Sequence, residues 1–232
     1  MNGHAEQDLN RQDLQKRLMS IHFFEESVYM ERIDKSTGQA SMFMVSPHAL
    51  MERFAVNTVF CTGILPAKTV FFCKKGEVET IAVYSSPGKR KMTLVLSDTF
   101  KKEYELYMPG YVFWGSGTEY GIVAVEDEQI SGSTRVAPMP TPNVFNRDGS
   151  ICMGDMAVPI CTINNIRSIE QLFWTSDFNK DYIDEKCKSH PDNLLALWDT
   201  LQETNAVEFP KNELLYGTDT LKDVMDSIGK QP

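Results

Sequence analysis

Asn143 and Cys152 stand nine residues apart in Pro142-Asn143-Val144-Phe145-Asn146-Arg147-Asp148-Gly149-Ser150-Ile151-Cys152-Met153-Gly154-Asp155. Most lone cysteines behave as small buried hydrophobes. A cysteine just past a Gly-containing turn can instead be exposed. A side-chain amide nearby can donate hydrogen bonds to an oxyanion. Thiolate nucleophile and oxyanion donor together are the minimum equipment for acyl transfer through a thioester.

The other reactive side chains lack that setting. Cys61, Cys73, Cys161 and Cys187 form no C-x-x-C pair and have no histidine at metal-ligand spacing, so no metal site is expected. Each is read as a small hydrophobe or an exposed thiol. His22, His48 and His190 form no dyad with Cys152 in sequence. Sequence distance does not exclude a spatial partner, so a cysteine hydrolase stays open as an alternative. Asp155 lies just beyond the cysteine and could orient or deprotonate an incoming amine. A solvated loop aspartate is the competing reading, and Asp148 and Asp177 are weaker candidates of the same kind.

The chain has 232 residues and a net charge of −9, without a long basic cluster. That disfavours nucleic acid or an anionic membrane as the main partner. Five scattered cysteines do not make a disulfide framework, and their odd number fits a reducing cytoplasm. The N-terminus has neither basic n-region nor apolar run, so no secretory signal is expected. No stretch approaches the ~20 apolar residues of a membrane helix.

The elements that position the cysteine can be read coarsely. Residues 6–19 suggest a short helix with Leu9, Leu14 and Leu18 on one stripe, and residues 20–33 turn β-like. Ser46-Pro47 is a helix start, with Leu50, Met51 and Phe54 on its buried face. From 68 to 126 six strands are expected: Thr69–Cys73, Glu79–Tyr84, Met92–Leu96, Tyr104–Met108, Tyr111–Trp114 and Gly121–Val125. Short turns between them predict an antiparallel meander. Pro138, Pro140 and Pro142 then predict an extended segment unable to join a ladder at those positions. Three helices should follow. One is capped at Ser168 and carries Ile169, Leu172 and Phe173. The next is capped at Asp192 and carries Leu194, Leu197, Trp198 and Leu201. The last carries Leu221, Val224, Met225 and Ile228 and stops at Gly229. The expected class is α+β. Residues 1–60 are read as an N-terminal helix and strand elaboration and 61–232 as the core, with one continuous domain 1–232 as the alternative.

Pro142-Asn143-Val144-Phe145 followed by Gly149-Ser150-Ile151-Cys152 resembles the active-site signature of ubiquitin-conjugating enzymes, in which His-Pro-Asn precedes a Gly-x-Ile-Cys-Leu-Asp segment. The closer resemblance is to a divergent bacterial group, prokaryotic ubiquitin-conjugating-like family D, which includes proteins of the PRTRC system. There an aromatic strand like Met108-Pro109-Gly110-Tyr111-Val112-Phe113-Trp114 precedes a strand like Tyr120–Val125. A Pro-rich loop, Pro-Asn-Val and Gly-x-x-Cys-x-Gly follow. Residues 108–159 carry nearly all of the resemblance.

The resemblance implies a ubiquitin-conjugating-enzyme-like fold, an antiparallel β-meander flanked by helices, with the cysteine in a loop before the C-terminal helices. It implies that Cys152 accepts a ubiquitin-like protein as a thioester from a ThiF-like adenylating activating enzyme and passes it to an amine. A JAB-type deconjugating peptidase is the implied companion, and no cofactor is called for. The setting it implies is a bacterial operon in plasmid maintenance or antiphage defence. Asn143 is then the oxyanion or loop residue, and Pro142, Gly149 and Thr141 structure the loop. Thr141 stands where the family-wide histidine stands. The asparagine-to-cysteine spacing is one residue longer than in the eukaryotic enzymes, and Met153-Gly154 replaces Leu-Asp. A non-catalytic module that binds a ubiquitin-like protein is the alternative from a different class, and loss of the cysteine would be its mark.

Overall fold

A computed structural model of the chain describes residues 19–23, 27–34, 36–46, 62–97, 99–126, 129–154 and 157–229. The chain divides into two compact units, Met1–Gly63 and Ile64–Pro232. The helix expected over 6–19 lies outside the described residues except for Met19, which opens a strand. Of the helix expected from Ser46-Pro47, only Ser46 is among the described residues.

The first unit contains a three-stranded antiparallel sheet of β1 (Met19–Phe23), β2 (Val28–Ile33) and β3 (Ala40–Val45), with β2 central. β3 lies beyond the β-like stretch expected over residues 20–33. The β2–β3 turn closes on Asp34, whose Oδ1 accepts from Ser36 Oγ and from the Ser36 and Thr37 amides. Those donors, the Ser36 hydroxyl first, pull its carboxyl down to about 2.

The second unit holds two sheets. A five-stranded antiparallel sheet has the order β10-β9-β8-β5-β4 and is built from β4 (Thr69–Lys75), β5 (Val78–Ser85), β8 (Tyr111–Ser116), β9 (Glu119–Val125) and β10 (Val136–Pro138). A smaller sheet, order β11-β6-β7, is built from β6 (Gly88–Ser97), β7 (Phe100–Met108) and β11 (Asp177–Phe178), with β11 parallel to β6. The strands therefore do not run as one meander. After Ser86-Pro87 the long β6–β7 hairpin leaves the main sheet, and β5 pairs directly with β8, from Thr80↔Ser116 to Ser85↔Tyr111. Pro138 joins the ladder opposite Val123, as the last residue of an edge strand, where its missing N–H costs least.

Alternation along the main sheet fills two cores. Ile81, Val83, Tyr111, Phe113, Ile122 and Ala124 face one way, onto α1 (Ile166–Thr175), in a core shared with the smaller sheet, on whose β7 α2 (Leu194–Glu203) packs. Ala82, Tyr84, Val112, Trp114, Val123 and Val125 face the other, onto α3 (Leu221–Gly229). A sheet buried on both faces explains the unbroken apolar runs Tyr111–Trp114 and Gly121–Val125. The helix ends differ from the sequence expectation. α1 is entered through Asn165, not Ser168, which takes the fully buried Ile166 into the helix, and Glu170 bonds across to the main sheet. Its Oε1 accepts from Ser85 and Tyr111, and its Oε2 pairs with Arg167. α2 is capped by Asn193, whose side chain accepts from the Leu195 amide, one residue after the expected Asp192. Among the described residues no helix is long and apolar enough to cross a membrane.

Candidate active site

Residues 143–152 fold into a short hairpin. Cys152 donates its N–H to the Asn143 carbonyl at 2.8 Å, Phe145 donates to Ser150 at 2.8 Å, and Val144 faces Ile151 between them. The hairpin lies along β9. The Ile122 amide donates to Gly149 and the Ile151 amide to Tyr120, each at 2.8 Å. β10 occupies the β9 edge only at Val123–Val125, so the hairpin completes that edge at Tyr120–Ile122. A loop that sequence alone shows as irregular is thus sewn to the main sheet.

Gly149 makes that approach possible. Its φ is +74°, and a Cβ there would stand 2.5 Å from the Ile122 carbonyl oxygen. Asp148 serves the same turn, accepting the Ser150 N–H at 2.9 Å, and it opens onto a different cleft from Cys152. Pro142 and Thr141 are buried behind the hairpin, Thr141 with no exposed surface. The Thr141 hydroxyl has no hydrogen-bond partner among the described residues.

Asn143 sits in the left-handed region at φ +60°, a conformation asparagine tolerates better than most residues. Three bonds clasp it to the segment after β11. Its N–H donates to the Asp181 carbonyl at 2.9 Å, its Nδ2 to Asn179 Oδ1 at 2.6 Å, and its Oδ1 accepts the Asn179 N–H at 3.0 Å. Asn179 is itself held, donating through Nδ2 to Asp181 Oδ2 at 2.8 Å. Beneath the hairpin Lys186, fully buried, donates through Nζ to the Val144 carbonyl at 2.6 Å. Burial pulls its amine down to about 7.

Cys152 is a half-buried free thiol on a cleft of about 510 Å³. Asn143, Met153, Gly154, Phe173, Phe178 and Asp181 line it with Cys152. Asp177 also lines the cleft, with its carboxylate 2.6 Å from Lys101 Nζ. Asp155 lies outside the described residues, as do Cys61 and His48. His22 pairs with Glu31, and His190 with Ser189, and no histidine lines this cleft among the described residues. Cys161 and Cys187 are buried, and burial pushes the Cys161 thiol up to about 12. Asn179, Asp181 and Lys186 escaped the sequence reading, because Asn179-Lys180-Asp181 looks like any polar turn and Lys186 like any surface lysine.

The model of the family described as prokaryotic E2 family D matches residues 47–216. The chain belongs to prokaryotic E2 family D. The matched span contains the hairpin, the cleft and the clasp around Asn143, and it ends before α3. Family D membership ties the chain to ubiquitin-like conjugation systems in general, and the mixed α+β architecture with antiparallel sheets is compatible with it. No curated protein and no solved structure matches the chain.

Proposed function

We propose that this family D protein is a conjugating enzyme of the ubiquitin-conjugating fold, with residues 64–232 as its working unit. Cys152 receives a ubiquitin-like protein from a ThiF-like activating enzyme. Its thiolate attacks the thioester carbonyl there, a new C–S bond forms, and the activating enzyme's thiolate leaves. An amine then attacks the Cys152 thioester, an amide forms, and the Cys152 sulfur departs. Asn143 donates to the oxyanion in that second step.

The observation that carries the reading is the pairing of Cys152 with Asn143. They face one another at the open end of one hairpin, and both line one cleft. An amide with two N–H groups that gives one to Asn179 keeps one for a ligand. The cleft is apolar at Phe173 of α1 and Phe178 of β11, and carries Asp177 and Asp181. That suits an extended peptide end and an approaching ammonium.

The test combines the chain with a ubiquitin-like protein, a ThiF-like enzyme and ATP. A reductant-sensitive adduct should form on Cys152 and vanish in Cys152→Ala. An adduct undiminished in Cys152→Ala sinks the assignment. A thiol that never acylates leaves the chain a binding module.

A further inference from the structure

Asn143 is useful to an oxyanion only if its carboxamide is held with nitrogen, not oxygen, toward the thioester. An unrestrained carboxamide can flip, and the flipped form presents a lone pair to a developing negative charge. Here the flip is blocked from both ends. Asn143 Oδ1 accepts the backbone N–H of Asn179 at 3.0 Å, and Asn143 Nδ2 donates to Asn179 Oδ1 at 2.6 Å. Reversing the amide would set oxygen against oxygen and N–H against N–H.

The same question passes to Asn179, whose own amide could flip. Its orientation is fixed by Asp181, which has no donor in its ionised side chain. Asn179 Nδ2 donates to Asp181 Oδ2 at 2.8 Å, and the Asp181 N–H donates to Asn179 Oδ1 at 2.8 Å. A carboxylate accepts only, so the nitrogen of Asn179 turns to Asp181 and its oxygen to Asn143. The Asp181 carboxylate and the backbone N–H groups of Asn179 and Asp181 all set the same direction along this chain of bonds.

We propose that Asn179, oriented by Asp181, is a positioning residue that fixes which end of the Asn143 carboxamide faces the Cys152 thioester and so sets the rate of transfer to amines. This rests on the oxyanion role given to Asn143 above.

The test needs no protein partner. Cys152 is acylated with the acetyl-Gly-Gly thioester of mercaptoethanesulfonate, its thiolate displacing the sulfonate thiolate. Excess probe is removed, free lysine is added, and loss of the thioester from the Cys152 peptide is followed by mass spectrometry. Asn143→Ala should slow discharge by about 10²–10³-fold. Asn179→Ala should slow it by about 10-fold, the loss of one hydrogen bond's worth of positioning. In an Asn143→Ala background the Asn179→Ala change should have no further effect, since it acts only through Asn143. If Asn179→Ala does not fold, the paired exchange Asn179→Asp with Asp181→Asn decides. It leaves Asn143 Nδ2 donating to residue 179 and reverses only the side-chain bond between 179 and 181, so discharge should stay within about threefold of the parent.

Discharge of Asn179→Ala at the parent rate overturns the proposal. So does an equal slowing in both backgrounds, or a paired exchange as slow as Asn143→Ala. If Asn143→Ala itself discharges at the parent rate, it is the oxyanion reading that fails, and the positioning proposal falls with it.

Discussion

Lys186 Nζ and the Val144 carbonyl meet at 2.6 Å beneath the candidate hairpin, and neither residue has exposed surface. An ammonium has three donors and finds one acceptor here, so the buried amine is more comfortable neutral. Burial pulls it down to about 7 from the ordinary 10.5. Between those two values the unfolded chain keeps its proton and the folded chain does not. Unfolding then takes up a proton, so this group makes stability rise with pH across that window. Below pH 7 both states are protonated, and the contribution is flat at its lowest. Lys186→Met lacks the effect. Urea unfolding of both chains from pH 6 to 9.5 should show the parent gaining on the variant as pH climbs. A difference that stays constant above pH 7 would show that Lys186 is not titrating.

Gly149→Ala should be among the costlier single-methyl changes in the chain. The new Cβ meets the Ile122 carbonyl oxygen at 2.5 Å and Val123 Cγ1 at 2.6 Å, at a φ of +74°. Both contacts are with the strand that anchors the hairpin, so the hairpin has to lift. We expect a loss of about 2–3 kcal/mol in chemical denaturation. Acylation of Cys152 should fall with it. A variant as stable as the parent would mean that the hairpin is not seated on β9.

Native-state alkylation should separate the thiols. Cys152 is half-buried on an open cleft, while Cys161 is buried and its thiol is pushed up to about 12, by desolvation first. Only the thiolate reacts. Iodoacetamide at pH 8 should therefore label Cys152 and spare Cys161 until denaturant is added, as read by peptide mass. Equal labelling of the two would contradict the burial of Cys161.

Tyr111→Phe probes the network that ties α1 to the sheets. The Tyr111 hydroxyl donates to Glu170 Oε1 at 2.8 Å and accepts from Trp174 Nε1 at 2.8 Å. Burial and the Glu170 charge push its phenol up to about 12. Phenylalanine leaves the indole N–H without its acceptor and removes a donor from a buried carboxylate. The expected loss is about 2 kcal/mol, with a drop of about 4–8 °C in Tm. A change under 0.5 kcal/mol, the usual size for a surface substitution, would mean that water replaces the hydroxyl without cost.

Much of the secondary structure was legible. The strand cores at Thr69–Cys73, Glu79–Tyr84 and Tyr111–Trp114 lie inside β4, β5 and β8, because apolar runs bounded by turn residues are local signals. The helices carrying Phe173, Trp198 and Met225 were legible from their i, i+3, i+4 spacing. Caps were not. Asp192 and Asn193 are both good capping residues, and only the packing of Leu194 chose between them. α1 is entered at Asn165 and not Ser168, which takes in Ile166, and the full burial of Ile166 follows only from the packed unit. The departure of β6–β7 into its own sheet also left no local mark, since an antiparallel hairpin reads alike in either sheet.

The sequence by itself determined that a cysteine follows a glycine turn nine residues after an asparagine, and that residues 47–216 match prokaryotic E2 family D. Only the tertiary structure decided how those two residues meet, and what holds them. The clasp from Asn179 and Asp181 and the buried Lys186 join segments more than 30 residues apart in the chain, and the hairpin is seated on a strand that precedes it by more than 20 residues. Periodicity and turn chemistry describe neighbours along the backbone. Hydrogen bonds of this kind depend on which distant segments the core brings together, and that follows from packing the whole unit.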